Sequence, residues 1–227
     1  MINPDKEYQE NNILVFVDIE TTGLERSKDK ILEVGLSVTD LQMNVLGTWS
    51  SLVVPEGWRA RLAGNQYVWN MHTNSGLIKE LDAMQADAHH PGNIEPPVVA
   101  WAAYKWLTED MGLAAGILPS CGNSVHFDRE MLRETMPVLD SFFNYRNIDI
   151  STVKELCRRY NRELYNSIKE QFNKDLTVHR VKEDIESSIR ELKIYVDNFL
   201  FVPGNALDDY MELNEQQLVI PGMEALK

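Results

Sequence analysis

Residues 15–24 have the sequence Val15-Phe16-Val17-Asp18-Ile19-Glu20-Thr21-Thr22-Gly23-Leu24, in which two carboxylates follow an apolar run. We predict a buried strand over residues 13–18, and because alternate side chains of a strand share a face, Asp18 and Glu20 should project together. Two neighbouring acids repel each other and resist burial unless a cation neutralises them. Sites rich in carboxylates suit Mg²⁺ or Mn²⁺. An isolated Asp-x-Glu pair is more often a solvated strand end, so the metal interpretation depends on further acids in similar contexts.

The composition restricts the kinds of protein that this chain can be. It has 227 residues, is 44% hydrophobic and carries a formal net charge of −13, which suits one compact domain with an appendage. The acidic balance argues against a broad basic surface for long duplex nucleic acid, because phosphate neutralisation dominates such binding. A short oligonucleotide held by metal ions and a few local cations is compatible with it.

The cysteines and the apolar runs predict a location in the cell. The two cysteines, Cys121 and Cys157, form no disulfide framework, which is typical of a reducing compartment. No run approaches the ~18 apolar residues needed to span a bilayer, and the polar residues 1–12 contain no signal core. We therefore expect a soluble cytoplasmic protein without a membrane segment.

The pattern of apolar residues predicts an α/β fold. Three consecutive strands joined by short links are predicted at residues 13–18, 30–39 and 46–54. Later strands are predicted at residues 117–121 and 145–150, with helices at residues 77–84, 98–111, 127–136 and 180–199. Residues 55–76 are predicted to be irregular and residues 85–97 to be a loop. This order predicts a mixed five-stranded sheet, with three antiparallel strands and then parallel crossovers, flanked by helices.

Finer predictions concern domain bounds and helix faces. Residues 1–12 are expected to be a flexible lead-in, residues 13–203 one folded domain, and residues 204–227 an acidic C-terminal extension. A core stripe is expected along residues 98–111, formed by Trp101, Tyr104 (or Lys105) and Leu107. The last helix is expected to turn an apolar stripe inward, formed by Val181, Ile185, Ser188, Leu192, Tyr195 and Phe199. Thr152 and Glu155 have the spacing of a capping box.

Two further acids lie in contexts that match the strand-end pair. Asp128 is predicted at the start of a helix after a buried strand, where the helix N-terminus favours a carboxylate and where a purely structural role is also common. Asp184 is predicted at the edge of the inward stripe, where a charge needs a partner. His179, five residues earlier, would lie roughly 140° away on a continuous helix, so we expect it in the preceding loop.

Together these residues predict phosphodiester chemistry. Four carboxylates, Asp18, Glu20, Asp128 and Asp184, can hold two divalent ions ~3.5–4 Å apart, the arrangement that clamps the attacking and leaving oxygens in phosphoryl transfer. A neutral histidine such as His179 can accept the proton of the attacking water.

Three motifs resemble those of the DEDDh 3′-to-5′ exonucleases, which have a ribonuclease H-like fold. The motifs are Asp18-Ile19-Glu20-Thr21-Thr22-Gly23-Leu24, Asn123-Ser124-x-x-x-Asp128 and His179-x4-Asp184. Longer strings are similar to those of the oligoribonucleases, which degrade very short RNAs to mononucleotides. These strings are Trp69-Asn70, His72-Thr73-x-Ser75-Gly76-Leu77, Cys121-Gly122-Asn123-Ser124 and residues 145–156. The resemblance covers about residues 13–200 and implies that residues 13–203 are an exonuclease domain.

The resemblance implies a role for each motif residue. The metal ligands, for two Mg²⁺ or Mn²⁺ ions, would be Asp18, Glu20, Asp128 and Asp184, with His179 as the general base. The substrate contacts would be a base-stacking wedge of Leu24 and Trp69 with His72 beside it, and a cap on the far phosphate of Ser124, Arg146, Ser151 and Thr152. Tyr145 resembles a tyrosine that comes from the neighbouring subunit, which implies a homodimer. The implied substrate is short single-stranded RNA, cleaved to nucleoside 5′-monophosphates.

Some positions depart from the family pattern and leave alternatives open. The family commonly has methionine where Thr21 or Thr22 stands, and the threonine pair resembles proofreading exonucleases. A DNA exonuclease acting on single-stranded DNA is therefore the alternative function. The interval from Trp69 to His72 is two residues shorter than usual, and Trp69 is also compatible with a core position, as Tyr145 is with an ordinary strand position. A stripe of Lys154, Arg158 and Arg162 is either a solvated helix face or an aid to substrate binding.

Overall fold

The structure is a computed structural model that describes residue 2 and residues 5–86, 94–172 and 179–200. Residues 87–93 of the predicted loop and the predicted extension at residues 204–227 lie outside the described residues. In the described part, no helix is long and apolar enough to cross a membrane.

A mixed five-stranded sheet forms the centre of the described chain, as the sequence predicted. Its strands are β1 (Ile13–Thr21), β2 (Ile31–Asp40), β3 (Val45–Leu52), β4 (Ser120–Gly122) and β5 (Asn147–Asp149), in the order β3-β2-β1-β4-β5. The pairs β1–β2 and β2–β3 are antiparallel, whereas β1–β4 and β4–β5 are parallel. β1 runs three residues further than predicted, and β4 and β5 are shorter than predicted.

Helices occupy most of the remaining described chain. They are α1 (Lys6–Asn12), α2 (Trp58–Ala63), α3 (Gln66–Asn74), α4 (Leu77–Ala86), α5 (Pro96–Lys105), α6 (Val125–Thr135), α7 (Pro137–Asp140), α8 (Ile150–Tyr160), α9 (Arg162–Phe172) and α10 (Val181–Tyr195). Two π-helical turns, Trp106–Asp110 and Val196–Leu200, extend α5 and α10.

The first helix replaces the flexible lead-in that we expected over part of residues 1–12. The carboxylate of Asp5 caps α1 by accepting from the backbone N–H of Tyr8. Gln9 is fully buried, where its amide donates to the carbonyl of Gly112 and accepts from the N–H of Ala114. Side-chain amides that pair distant backbone groups fix this helix to the domain.

The prediction that residues 55–76 are irregular is wrong, because they form α2 and α3. Trp58 and Leu62 of α2 are buried with Val68 of α3, in a cluster that also contains Leu32 and Leu81. These helices are short, and burial of an apolar face stabilises such helices more than local propensity does. The contacts that form them are distant in sequence, so a local pattern does not predict them.

The predicted core stripe is wrong at one position, Trp101, and the predicted capping box is also wrong. Trp101 is 53% exposed and does not join the core, whereas Leu107 is buried in the π-helical turn. The cap of α8 is Asp149, whose carboxylate accepts from the N–H of Ser151. Glu155 instead accepts hydrogen bonds from the guanidinium groups of Arg158 and Arg159, so no capping box with Thr152 forms.

Helices cover both faces of the sheet and thereby orient the strand-end acids. The odd residues of β1, from Val15 to Ile19, pack in a core cluster with α5, α6 and α7. The even residues Leu14 and Phe16 pack in a second cluster with α8 and with Ile185 of α10. Asp18 and Glu20 continue this even series, so they project toward α10. The predicted inward stripe of α10 is buried from Val181 to Tyr195, and Phe199 is half-buried.

Candidate active site

Strand β1 supplies the first two acids on one face, as its alternation requires. Asp18 pairs with Gly35 of β2 and Glu20 pairs with Glu33 of β2 in the antiparallel register. A Cβ atom at Gly35 would lie 2.7 Å from the Cβ of Val181. The absence of a side chain at this position lets the first turn of α10 approach the sheet directly beside Asp18.

Helix α6 supplies the third acid. Asp128 is buried in the first turn of the helix, and its Oδ1 accepts a hydrogen bond of 3.1 Å from the N–H of Ile19. This bond fixes the carboxylate to the segment of β1 between the two strand acids.

Helix α10 and the residue before its N-cap supply the rest of the predicted centre. Asp184 is half-buried in the first turn, and His179 precedes the N-cap Arg180 with a φ of 52°. His179 is therefore outside the helix, where the sequence placed it. Single ligand atoms of Glu20, His179 and Asp184 all lie within 4.8 Å of one another.

Burial raises the pKa values of all four acids, and repulsion between the acids adds to this at Asp18 and Glu20. Burial raises the pKa of Asp18 well above its usual range, and repulsion from Asp128, Glu20, Asp184 and Glu33 raises it further. Burial, followed by repulsion from Asp184 and Glu33, raises the pKa of Glu20 to about 8. Burial also raises the pKa values of Asp128 and Asp184. The structure thus brings together all five residues of the predicted centre.

The donor set fits a divalent metal ion. Buried carboxylates that repel one another are costly as anions, and a bound cation removes that cost. Carboxylate oxygens are the ligands that Mg²⁺ and Mn²⁺ prefer, and one imidazole lies beside them.

A fifth acid, Glu33, lies beside the cluster and was missed by the sequence analysis. It is buried on β2 opposite Glu20, and it forms a two-bond ion pair with Arg180. Arg180 forms a second two-bond pair with Glu80 of α4. The signal that could have identified Glu33 is its position as a charged residue inside the apolar run of β2, because buried charges need partners.

His72 is not placed as a substrate contact, which corrects our expectation. Its side chain is fully buried, and its Nε2 donates to the carbonyl of Thr21 at 2.8 Å. Its Nδ1 lies 3.9 Å from a carboxylate oxygen of Glu20 and has no hydrogen-bond partner among the described residues. Burial lowers the pKa of His72. The residue therefore packs beneath the acid cluster instead of facing solvent.

The predicted wedge residues differ in exposure. Leu24 is 79% exposed on a loop whose conformation depends on Asp29. The Asp29 carboxylate accepts from the Thr22 hydroxyl, the Glu25 N–H and the Arg61 guanidinium, each at 2.7 Å. Sequence reasoning missed this buried acid, whose partners are mostly other loop residues.

Trp69 is half-buried in α3, where it contacts both apolar side chains and a guanidinium group. It packs against the apolar cluster of α2 to α4, which matches the core interpretation. The guanidinium of Arg59 also lies 5.5 Å from its ring centroid. A part of the ring is thus covered by protein.

Two residues of the predicted phosphate cap, Ser124 and Ser151, are in contact. The hydroxyls of Ser124 and Ser151 are 3.0 Å apart, and the Ser124 N–H donates to Asp149. Ser124 has a φ of 53°, an uncommon conformation that recurs at functional sites. Three other predicted substrate contacts are exposed and lie within six residues of Ser151 in sequence. They are Tyr145, Arg146 and Thr152. The Arg146 guanidinium lies 5.1 Å from the Tyr145 ring centroid.

The predicted basic stripe is largely neutralised by acids. Lys154 forms an ion pair of 3.0 Å with the buried Glu191, and Arg158 pairs with Glu155. Glu191 also accepts from the amide of Asn123, next to Ser124. This surface is therefore not an open array of cations for substrate.

Known proteins match the chain over most of its length. The family described as Exonuclease (RNase T) matches residues 83–192. An oligoribonuclease of Serratia proteamaculans is 36% identical over 193 residues, which cover 84% of this chain and 97% of the relative. An oligoribonuclease of Nitrosomonas europaea is 37% identical over 187 residues, which cover 82% of this chain and 95% of the relative.

Solved structures share the fold at low identity. Exonuclease I from Methylocaldum szegediense gives a TM-score of 0.58 at 14% identity, over 89% of this chain and 43% of that chain. Escherichia coli exonuclease I in complex with a dT13 oligonucleotide gives 0.55 at 15% identity, also over 89% and 43%. This chain thus spans less than half of the exonuclease I chains. The likeness confirms the ribonuclease H-like α/β fold that the sequence predicted.

Proposed function

The chain belongs to the oligoribonuclease family and is a 3′-to-5′ exonuclease, and we propose that it hydrolyses short oligoribonucleotides to nucleoside 5′-monophosphates with two Mg²⁺ or Mn²⁺ ions. The observation that supports the proposal is that Asp18 is repelled by Asp128, Glu20 and Asp184, and that Glu20 and Asp184 lie within 4.8 Å of His179. These acids come from a strand and two helices, so their meeting is a property of the fold and not of one local motif.

In the proposed mechanism, the four carboxylates would hold the ions and His179 would accept a proton. Two divalent ions, when bound there, would supply electrostatic stabilisation of the attacking and leaving oxygens. An imidazole nitrogen of His179 accepts the proton of the attacking water, whose oxygen forms a new bond to phosphorus while the bond from phosphorus to the 3′ oxygen breaks. The leaving 3′ oxygen takes a proton from solvent, so the products are a nucleoside 5′-monophosphate and an oligonucleotide with a free 3′ hydroxyl.

The residues predicted to bind substrate support a short oligonucleotide as the substrate. The exposed Leu24 is suited to separate two bases, and the uncovered part of Trp69 is suited to stack on one, since aromatic faces bind bases without sequence preference. The paired hydroxyls of Ser124 and Ser151, with Arg146 and Thr152, would bind the phosphate at the far end. His72 would instead support Glu20 from beneath.

The remaining parts of the proposal concern assembly and location. We assign the exposed Tyr145 to the active site of a neighbouring subunit, which makes the enzyme a homodimer. A cytoplasmic location suits the two cysteines, which are buried free thiols.

The test uses an end-labelled diribonucleotide with Mg²⁺ or Mn²⁺. The wild type should release nucleoside 5′-monophosphates, and Asp18→Ala should lower the rate by several orders of magnitude while the circular dichroism spectrum stays unchanged. Exposed Glu170, changed to glutamine, is the matched control and should retain full activity. Equal rates for the wild type and Asp18→Ala would contradict the proposal.

A DNA exonuclease of the proofreading type is the second candidate. Its support is the pair Thr21-Thr22, where the family commonly has methionine at one of the two positions. The hydroxyl of Thr21 donates to the carbonyl of Gly23 at 2.7 Å. A comparison of long single-stranded DNA with diribonucleotides separates the two. Faster release from the DNA would favour the second function.

A further inference from the structure

We propose that Arg180 is a positioning residue, which holds His179 over the carboxylate cluster by binding two acids from separate elements, Glu33 and Glu80. This inference rests on the proposed function, in which His179 accepts the proton of water. We call the three-residue arrangement of Arg180, Glu33 and Glu80 the arginine clamp.

The clamp has close, directional contacts on both sides of one guanidinium group. Nε and Nη2 of Arg180 each donate to Glu33 at 2.9 Å, and Nη1 and Nη2 each donate to Glu80 at 2.8 Å. The side chain of Arg180 is 17% exposed, that of Glu33 is 7% exposed and that of Glu80 is 50% exposed. Paired bonds to a planar guanidinium fix its orientation, which a lysine ammonium group does not reproduce.

The backbone explains why such fixation matters for His179. His179 has a φ of 52°, in the left-handed region that residues with a side chain rarely adopt. Arg180, the next residue, is extended and its carbonyl accepts from the N–H of Asp184, which closes the first turn of α10. The clamp therefore fastens the one residue that separates the histidine from the helix carrying Asp184.

Glu33 and Glu80 connect Arg180 to different parts of the site. Glu33 lies on β2 opposite Glu20, and Glu80 lies on α4, which follows the helix that carries Trp69 and His72. Glu33 repels Asp18, Glu20 and Asp184, and the positive charge of Arg180 opposes this repulsion at Glu20. Replacement of Arg180 by alanine would leave Glu33 buried without a partner, so the informative variants are Arg180→Lys and Glu80→Gln.

Steady-state kinetics with a diribonucleotide test the clamp. We expect Arg180→Lys to lower kcat by about 10- to 100-fold with KM changed by less than about twofold, because a small misplacement of a catalytic group is that costly. Glu80→Gln should lower kcat about threefold to tenfold, since it leaves the Glu33 half of the clamp in place. Asp197→Asn is the matched control, since Asp197 is also 50% exposed and pairs with Lys193 on the surface near the C-terminal end of α10.

A double-mutant cycle distinguishes positioning of His179 from a general structural role. In a His179→Ala background, Arg180→Lys should cause no further loss of kcat, because the group that it positions is gone. An equal loss in both backgrounds, or an unchanged kcat in the single variants, would overturn the inference.

Hydrogen exchange gives a second measurement that needs no catalysis. The amide of Asp184 should exchange faster in Arg180→Lys and Glu80→Gln than in the wild type and Asp197→Asn, because its partner is the Arg180 carbonyl. Unchanged exchange would overturn the inference. If the wild type released no nucleotide, the proposed function would fail, and exchange at Asp184 alone would decide for or against the clamp.

Discussion

Replacement of Glu20 by glutamine should stabilise the metal-free protein at neutral pH while it abolishes activity. Burial, together with repulsion from Asp184 and Glu33, raises the pKa of Glu20 from its ordinary value of 4.5 to about 8. The folded protein therefore binds a proton at Glu20 more tightly than the unfolded chain does. The stability linked to this group is fully present below the ordinary pKa and is lost as the pH rises through the raised pKa.

The size of the effect follows from the difference between the two pKa values. Each pKa unit corresponds to about 1.4 kcal/mol. The uptake of a proton by Glu20 on folding therefore costs about 3 kcal/mol at pH 7 and under about 1 kcal/mol near pH 5. Because the Glu20 side chain is only 8% exposed, solvent screening does not reduce this figure strongly. Glutamine keeps the shape and removes the charge, so Glu20→Gln should gain that amount at pH 7.

Urea unfolding in the presence of a chelator measures the gain at several pH values. Glu170→Gln, an exposed exchange on α9, is the control and should change the free energy of unfolding little at any pH. Added Mn²⁺ should reverse the order, because only the wild type keeps the full ligand set. A Glu20→Gln protein that is no more stable than the wild type at pH 7 without metal would refute this reasoning.

Three further substitutions test other parts of the structure. Gly35→Ala should lower the free energy of unfolding in urea by about 1–3 kcal/mol, because the new Cβ would lie 2.7 Å from the Cβ of Val181. Leu24→Ala should raise KM for a diribonucleotide about tenfold without a change in melting temperature, because the wedge side chain is exposed. Ser124→Gly should leave the melting temperature unchanged or higher, since glycine accepts a φ of 53°, but should raise KM through loss of the hydroxyl paired with Ser151.

Each of these expectations has an opposite outcome that would contradict it. A Gly35→Ala protein as stable as the wild type would show that α10 does not approach the sheet so closely. An unchanged KM in Leu24→Ala would remove the wedge from the proposal. A large loss of stability in Ser124→Gly would show that the hydroxyl is structural.

The sequence predicted those features that depend on local periodicity. The alternation of β1 placed Asp18 and Glu20 on one face, and the structure shows that Leu14 and Phe16 of the same face pack toward α10. The 3.6-residue repeat likewise placed His179 outside the helix that carries Asp184. In these cases one element and its own geometry determine the position of the side chain.

Features that depend on distant contacts were not predicted. Glu33 and Arg180 are 147 residues apart in sequence, and no local pattern links them. The burial of His72 beneath Glu20 depends on the packing of α3 against β1, in a region predicted to be irregular. Trp101 was predicted to lie in the core but is exposed, because a helical repeat alone does not show which face of α5 meets the sheet.

The most direct test of the central claim is the position of bound manganese. Crystals grown with Mn²⁺ and a non-hydrolysable dinucleotide, measured at the manganese absorption edge, should show two anomalous peaks among the carboxylates of Asp18, Glu20, Asp128 and Asp184. Manganese bound elsewhere, or no peak between these carboxylates, would contradict the account.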